Sequence, residues 1–126
     1  MKEIMCILRL NKVNATKDAL AEAGFPSITC RKVLGRGKKS LDQISKGFID
    51  TQSEIYSEFS EAFSEGTRLI AKRFFTLIVN DEDVDKVVET IINVNKTDTP
   101  GDGKIFVLPI EEAYRVRDGK SGQEII

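Results

Sequence analysis

The chain has 126 residues, 40% apolar and 31% charged, with 19 basic against 20 acidic side chains and a formal net charge of −1. That is enough chain for one core and one domain, and the even charge balance excludes a general nucleic-acid binder, which carries a basic excess. No apolar run approaches the ~20 residues of a membrane span and residues 1–10 lack a signal-peptide layout, so the expected compartment is the cytoplasm, without membrane insertion. Histidine is absent, which removes Ser-His and Cys-His nucleophile pairs and His-based zinc sites. Cys6 and Cys30 form no C-x-x-C pair; both are read as small buried hydrophobes, and no metal site is expected.

The first element, KEIMCILRL (Lys2–Leu10), is an apolar run of strand length. In the next stretch Val13, Thr16, Leu20 and Ala23 fall on one helical stripe, and Gly24 is placed to stop the helix. After Pro26 a second strand, Ile28–Leu34, runs into the glycine-basic turn GRGKK. The segment 36–66 that follows is far longer than a hairpin loop of ~2–5 residues and is read as an extended regulatory loop within a single domain, 1–126. It is basic at its root and acidic beyond, while Ile55, Tyr56, Phe59 and Phe63 keep helical spacing. An amphipathic helix there must bury its apolar side against its own domain, a sister subunit or a target protein.

A third strand, Arg68–Val79, is rich in β-branched and aromatic residues. The acidic stretch after it suits a helix N-terminus, and Val84, Val87, Val88, Ile91 and Ile92 repeat with the period of one buried helical face. Lys104–Ile110 is a fourth strand. Strand–helix–strand twice over is the split βαβ pattern: an α+β, ferredoxin-like antiparallel sheet with two helices on one face. Phe74, Phe75 and Phe106 are read as core, not as a base-stacking RNA platform.

Three short stretches can meet an anion. In GDGK (Gly101, Asp102, Gly103, Lys104) the glycines let backbone N–H groups approach a phosphate and Lys104 adds a point charge. Arg115 and Arg117, two apart, project to one side if the chain there is extended, and two guanidinium forks match phosphate oxygens. The root of the long loop, Gly35–Lys39, has the same glycine-basic character. GDGK alone also reads as a plain turn and the arginines as salt-bridged; no Walker A motif is present.

The ending GDGKIFVLPIEEAYRVRDGKSGQEII resembles the G-D-G-K-I-F-V…R-[IV]-R-x-G-x-x-G pattern of the PII nitrogen-regulatory signal-transduction proteins, and ALAEAGFPSITCRKVLGRGK resembles their A-L-x-x-x-G…V-x-G-x-G-[RK] region. The resemblance implies a trimer that binds ATP or ADP, with or without Mg2+, in clefts between subunits and acts as a regulator, not an enzyme. By position, Thr29, Gly35, Gly37 and Lys38 would face the nucleotide, Ile7 and Ile78 would line the base, and Gly101–Lys104 would form the phosphate-side loop. Arg115 and Arg117 would reach in from the neighbouring subunit.

Lys72 matches the lysine that pairs with 2-oxoglutarate, the family's effector. The loop root departs from the pattern, with Lys39 in place of the metal- and effector-binding Gln and Ser40 in place of the next Lys; a protonated Lys cannot ligate a metal. Tyr56 does not sit in the family's modified-tyrosine motif. The enlarged, rewritten loop resembles the nitrogenase-regulating branch of archaea and anaerobic bacteria, and its second type of subunit. That branch implies a homotrimer or mixed assembly with a sister subunit, and the dinitrogenase component as the target of the long loop. An ammonium transporter or glutamine synthetase is the alternative target within the family, and a nucleotide-hydrolysing ferredoxin-like enzyme the alternative outside it.

Overall fold

In the computed structural model the structure describes residues 1–37 and 69–126. Of the expected site, Lys38, Lys39, Ser40, Ile55, Tyr56, Phe59 and Phe63 therefore lie outside the described residues. The elements run β1 (Lys2–Arg9), α1 (Val13–Glu22), β2 (Thr29–Gly35), β3 (Ile70–Val79), α2 (Val84–Asn95) and β4 (Lys104–Pro109). The chain divides into two compact units: Met1–Val33 with Ala71–Ile126, and Leu34–Ile70, of which 34–37 and 69–70 are described. The sheet order is β2-β3-β1-β4, and β1 pairs antiparallel with both β3 and β4, as a split βαβ fold requires.

Alternation along β1 sets the two faces of the sheet. Ile4, Cys6 and Leu8 are buried, and with Phe75, Leu77 and Val79 of β3 they meet Leu20 of α1 and Val87 and Ile91 of α2 in one cluster. Burial of ~25 cal/mol per Å² over such side chains is the main stabilising contribution. Burial also pushes the Cys6 thiol up to about 12, so it stays a neutral hydrophobe. Cys30 differs from its expectation: it is exposed on β2, an edge strand with one open side.

Helix α1 stops as its sequence dictates. Gly24 takes φ +97°, its N–H donates to Ala21 O at 3.0 Å, and Phe25 N–H reaches Leu20 O at 2.8 Å. That double closure is the Schellman end, which a glycine enters without Cβ strain. Phe25 then packs against the core.

Helix α2 departs from the pattern at one position. Val87 and Ile91 are buried and Val84 and Val88 pack on the core, but Ile92 is 44% exposed. A step of 100° beyond Ile91 turns Ile92 off the buried line, and Asn95, four residues past Ile91, takes the next core position instead. Asn95 is buried; its Nδ2 donates to Thr16 Oγ1 of α1 at 3.0 Å and to Ile91 O at 2.9 Å. A polar pair thus ties the two helices together.

The other face of the sheet carries the alternate residues: Glu3, Met5 and Ile7 of β1, Phe74, Thr76 and Ile78 of β3, and Lys104, Phe106 and Leu108 of β4. Phe75 is core as expected, whereas Phe74 and Phe106 belong to this open face, and Phe106 is 44% exposed. Odd and even positions of one strand cannot share a face, so adjacent phenylalanines at 74 and 75 must part. Arg31 of β2 lies 4.5 Å over the Phe74 ring, a cation–π contact that covers part of it.

Candidate anion-binding site

The turn between α2 and β4 is held by residues from three parts of the chain. Arg9, the last residue of β1, donates from Nη1 to Thr97 Oγ1 at 3.1 Å and from Nη2 to Thr99 Oγ1 and Pro100 O, each at 3.0 Å. The same guanidinium stands 3.1 Å from Asp102 Oδ1. Asp102 also accepts from Thr97 N at 2.7 Å and from the Thr97 hydroxyl. These bonds, from the Thr97 side chain first, hold its carboxyl down at about 2, so it is ionised throughout the physiological range.

The backbone of the turn needs its glycines. Gly101 and Gly103 take φ +99° and +120°. A Cβ on Gly103 would lie 2.3 Å from Ile7 O, because the turn lies directly against β1. On Gly101 a Cβ would come within 3.4 Å of Arg9 Nη2 and 3.9 Å of Lys72 Nζ. Two cations therefore crowd one glycine, and only the Arg9 charge is answered by Asp102. Lys72 donates to Gly101 O at 3.3 Å but has no carboxylate partner among the described residues.

Lys104 begins β4 opposite Ile7 and so faces the open side of the sheet; it too lacks an acidic partner among the described residues. The turn thus presents two unanswered ammonium groups and a glycine backbone, a donor set that fits phosphate or carboxylate oxygens. Behind it, on the helix side, a cavity of about 420 Å³ is walled by Leu8, Val88, Ile91, Ile92 and Ile105 and reaches Lys104. Its apolar wall makes it a poor anion site.

The remaining expected residues are spread out within one chain. Ile7 and Lys104 are cross-strand neighbours, but Ile78 pairs with Glu3, four positions or ~13 Å further along the same face. Thr29 opens β2, and Gly35 ends it, with Gly37 two residues on. Arg115 and Arg117 are not hydrogen-bonded to the glycine turn among the described residues. The extended geometry that would project them to one side is also absent. Tyr114 bridges Ser121 antiparallel, and the chain turns at Arg115, whose carbonyl accepts from Asp118 N at 3.4 Å and Gly119 N at 2.8 Å. The Arg115 guanidinium is bound to Asp118. Arg117 is exposed and has no partner among the described residues.

Arg9, Thr97 and Thr99 are site residues that the sequence reading missed. The weak signal for them was composition: a Thr-x-Thr-Pro-Gly-Asp stretch offers three short polar side chains to a cation, but not its address.

A split βαβ sheet with a glycine turn and cations at one end defines a ferredoxin-like α+β domain with a candidate anion site, and comparison with known proteins specifies its family. Residues 1–120 match the family model described as nitrogen regulatory protein P-II, so the chain belongs to the P-II family. It is 46% identical over 127 residues, covering all of this chain and 99% of the relative, to the "Nitrogen fixation nifHD region GlnB-like protein 2" of Methanobacterium ivanovii. It is 42% identical to the nifHD1-region GlnB-like protein 2 of Methanosarcina barkeri, covering 98% of this chain and 97% of that one. The nifHD-region GlnB-like protein 2 of Methanococcus maripaludis is 43% identical over the full length of both. The resemblance to the second-type, nitrogen-fixation-associated branch is thereby upheld. P-II proteins are regulatory signal transducers and not enzymes, are trimeric as a family, and as a family bind ATP or ADP and 2-oxoglutarate. Among the described residues no helix is long and apolar enough to cross a membrane.

Proposed function

We propose that this chain is a nitrogen-status regulator whose output is set by the nucleotide it holds. In this reading the glycine turn Gly101–Lys104 of one subunit and Arg115 and Arg117 of a neighbouring copy take the phosphates of ATP or ADP. Ile7 contacts the base on the first subunit, with Thr29, Ile78, Gly35, Gly37 and Lys38 completing the cleft. The observation that carries it is the rigid turn with two cations, Lys72 and Lys104, that no carboxylate neutralises among the described residues. Held in advance by Arg9, such a turn loses little freedom when an anion arrives.

The open sheet face supports assembly of three such subunits. Met5, Ile7, Phe74, Ile78, Phe106 and Leu108 form an apolar surface on one side of a sheet whose other side is already covered by helices. A patch of that kind on a small domain marks a protein interface.

Lys72 beside Gly101 is the group in place to meet a 2-oxoglutarate carboxylate, while Lys39 and Ser40 replace the remainder of that site. Nucleotide and effector would bias the segment 36–66 between states of different partner affinity, each ligand acting only through its unequal affinity for the two. The target we propose is nitrogenase, through Ile55, Tyr56, Phe59 and Phe63; the nifHD-region names of the relatives support it. The reaction compartment would be the cytoplasm, where nucleotide and effector are available.

The test is calorimetric titration of the full chain with ATP and ADP, alongside sedimentation to fix the assembly. Lys104→Ala and the double variant Arg115→Ala/Arg117→Ala are each expected to weaken ATP at least about tenfold without dissociating the trimer. Unchanged ATP affinity in the double variant eliminates the assigned site.

A further inference from the structure

One contact in the carboxy-terminal hairpin plays no part in the function proposed above. Arg115 donates from Nε to Asp118 Oδ1 at 2.9 Å and from Nη2 to Asp118 Oδ2 at 2.6 Å. This is the two-pronged pairing by which a guanidinium grips a carboxylate or a phosphate. The turn fixes it: Gly119 N–H closes on Arg115 O at 2.8 Å, Gly119 takes φ +68°, and Arg115 N–H donates to Lys120 O at 2.7 Å. Asp118 is itself aimed, because its Oδ1 also accepts from Lys120 N at 3.3 Å. Both side chains keep about a third of their surface, 32% and 33%, so an outside ligand can reach the pair.

We propose that Asp118 is a built-in stand-in for phosphate: a latch that occupies the fork of Arg115 and sets the affinity with which the site takes a nucleotide. The proposal rests on the reading of Arg115 as a phosphate ligand. A phosphate approaching Arg115 meets two choices, both unfavourable relative to an unlatched arginine. It displaces the carboxylate from the Nε–Nη2 edge and forfeits that ion pair, or it uses the remaining N–H groups and lies close to a second anion. Arg117 has no such partner among the described residues. The hairpin therefore carries one open arginine and one that must be released, and release costs no more than a partly exposed ion pair is worth. A barrier that small tunes occupancy by severalfold and does not block binding.

The experiment is ATP titration of the full chain by calorimetry for the wild type, Asp118→Asn, Asp118→Ser, Arg115→Ala and Arg115→Ala/Asp118→Asn. The Arg115 Nε–H resonance is followed by NMR in parallel. Asn keeps an acceptor for Lys120 N–H while removing the charge, and Ser guards against an idiosyncratic Asn contact. The latch predicts about two- to fivefold tighter ATP binding in both Asp118 variants. It also predicts that the double variant binds no more tightly than Arg115→Ala, and that ATP shifts the Arg115 Nε–H of the wild type. If Arg115→Ala weakens ATP while Asp118→Asn and Asp118→Ser match the wild type or bind less tightly, the latch is wrong and the nucleotide site stands. If Arg115→Ala binds ATP as the wild type does, both fall.

Discussion

Two turns of this protein carry the proposed anion-binding groups, and they are built differently. The turn 97–103 is braced from outside as well as by its own Asp102: Arg9 from β1 and Lys72 from β3 hold it, and Ile7 O lies against Gly103. The turn 115–119 is fixed from within, by Asp118, Gly119 and Lys120 acting on Arg115. The proposed phosphate site, shared between subunits, calls for this division. The half that belongs to the fold is shaped before the ligand arrives, and the half that must meet another copy is a self-supporting hairpin. At its tip Val116 is 99% exposed.

The sharpest way to break the comparison is Gly103→Ala. A Cβ placed 2.3 Å from Ile7 O at φ +120° cannot be accommodated without moving β1 or the turn, so we expect a loss of about 3 kcal/mol or more, read by urea unfolding. A loss below ~1 kcal/mol would mean that the turn is not pinned. Next comes Arg9→Ala, which removes three hydrogen bonds and the charge facing Asp102. The amides of 97–102 should lose hydrogen-exchange protection while those of the 113–122 hairpin keep theirs. Equal loss in both would show that the two turns are coupled.

Much of the fold was legible because it rests on period. Burial at every second residue of β1 and the Val84–Ile91 stripe of α2 need no knowledge of partners, and the strands start and end within two residues of expectation among those described. What failed to be legible depends on contacts between distant residues. Arg9 meets Thr97 across 88 positions, and nothing local marks a terminal strand arginine as a clamp. The need for glycine at 103 arises from a carbonyl on β1. The extended chain on which the one-sided projection of Arg115 and Arg117 depends is not met for a nearer reason: Asp118-Gly119 is itself a turn signal. The site's residues were named mainly through the family pattern, since composition alone left GDGK as an anion cradle or a plain turn.

A smaller effect in the first turn is set by pH. Asp102 has its carboxyl lowered from 3.8 to about 2, so its contribution is fully present above pH ~4 and is lost as pH falls through about 2. The Thr97 amide resonance should report that loss between those limits; a midpoint near 3.8 would mean that the Thr97 and Arg9 contacts do not act on the charge. Gly119→Ala is milder than Gly103→Ala, since its Cβ would meet nothing within 4 Å and only φ +68° resists it. About 1 kcal/mol is expected from the same unfolding measurement.

Arg115→Ala is the weakest perturbation of the fold and the one that most directly tests why the hairpin is built as it is. Among the described residues its guanidinium bonds only to a residue three positions on, in a partly exposed pair worth no more than about 1 kcal/mol. The turn keeps its backbone closure from Gly119 and Lys120 to the main chain of residue 115, which alanine preserves. The melting temperature should therefore stay at the wild-type value while ATP affinity falls. A marked drop in melting temperature would place Arg115 among the structural contacts, and the self-supporting character of the hairpin would then be an effect of its arginine and not of its backbone.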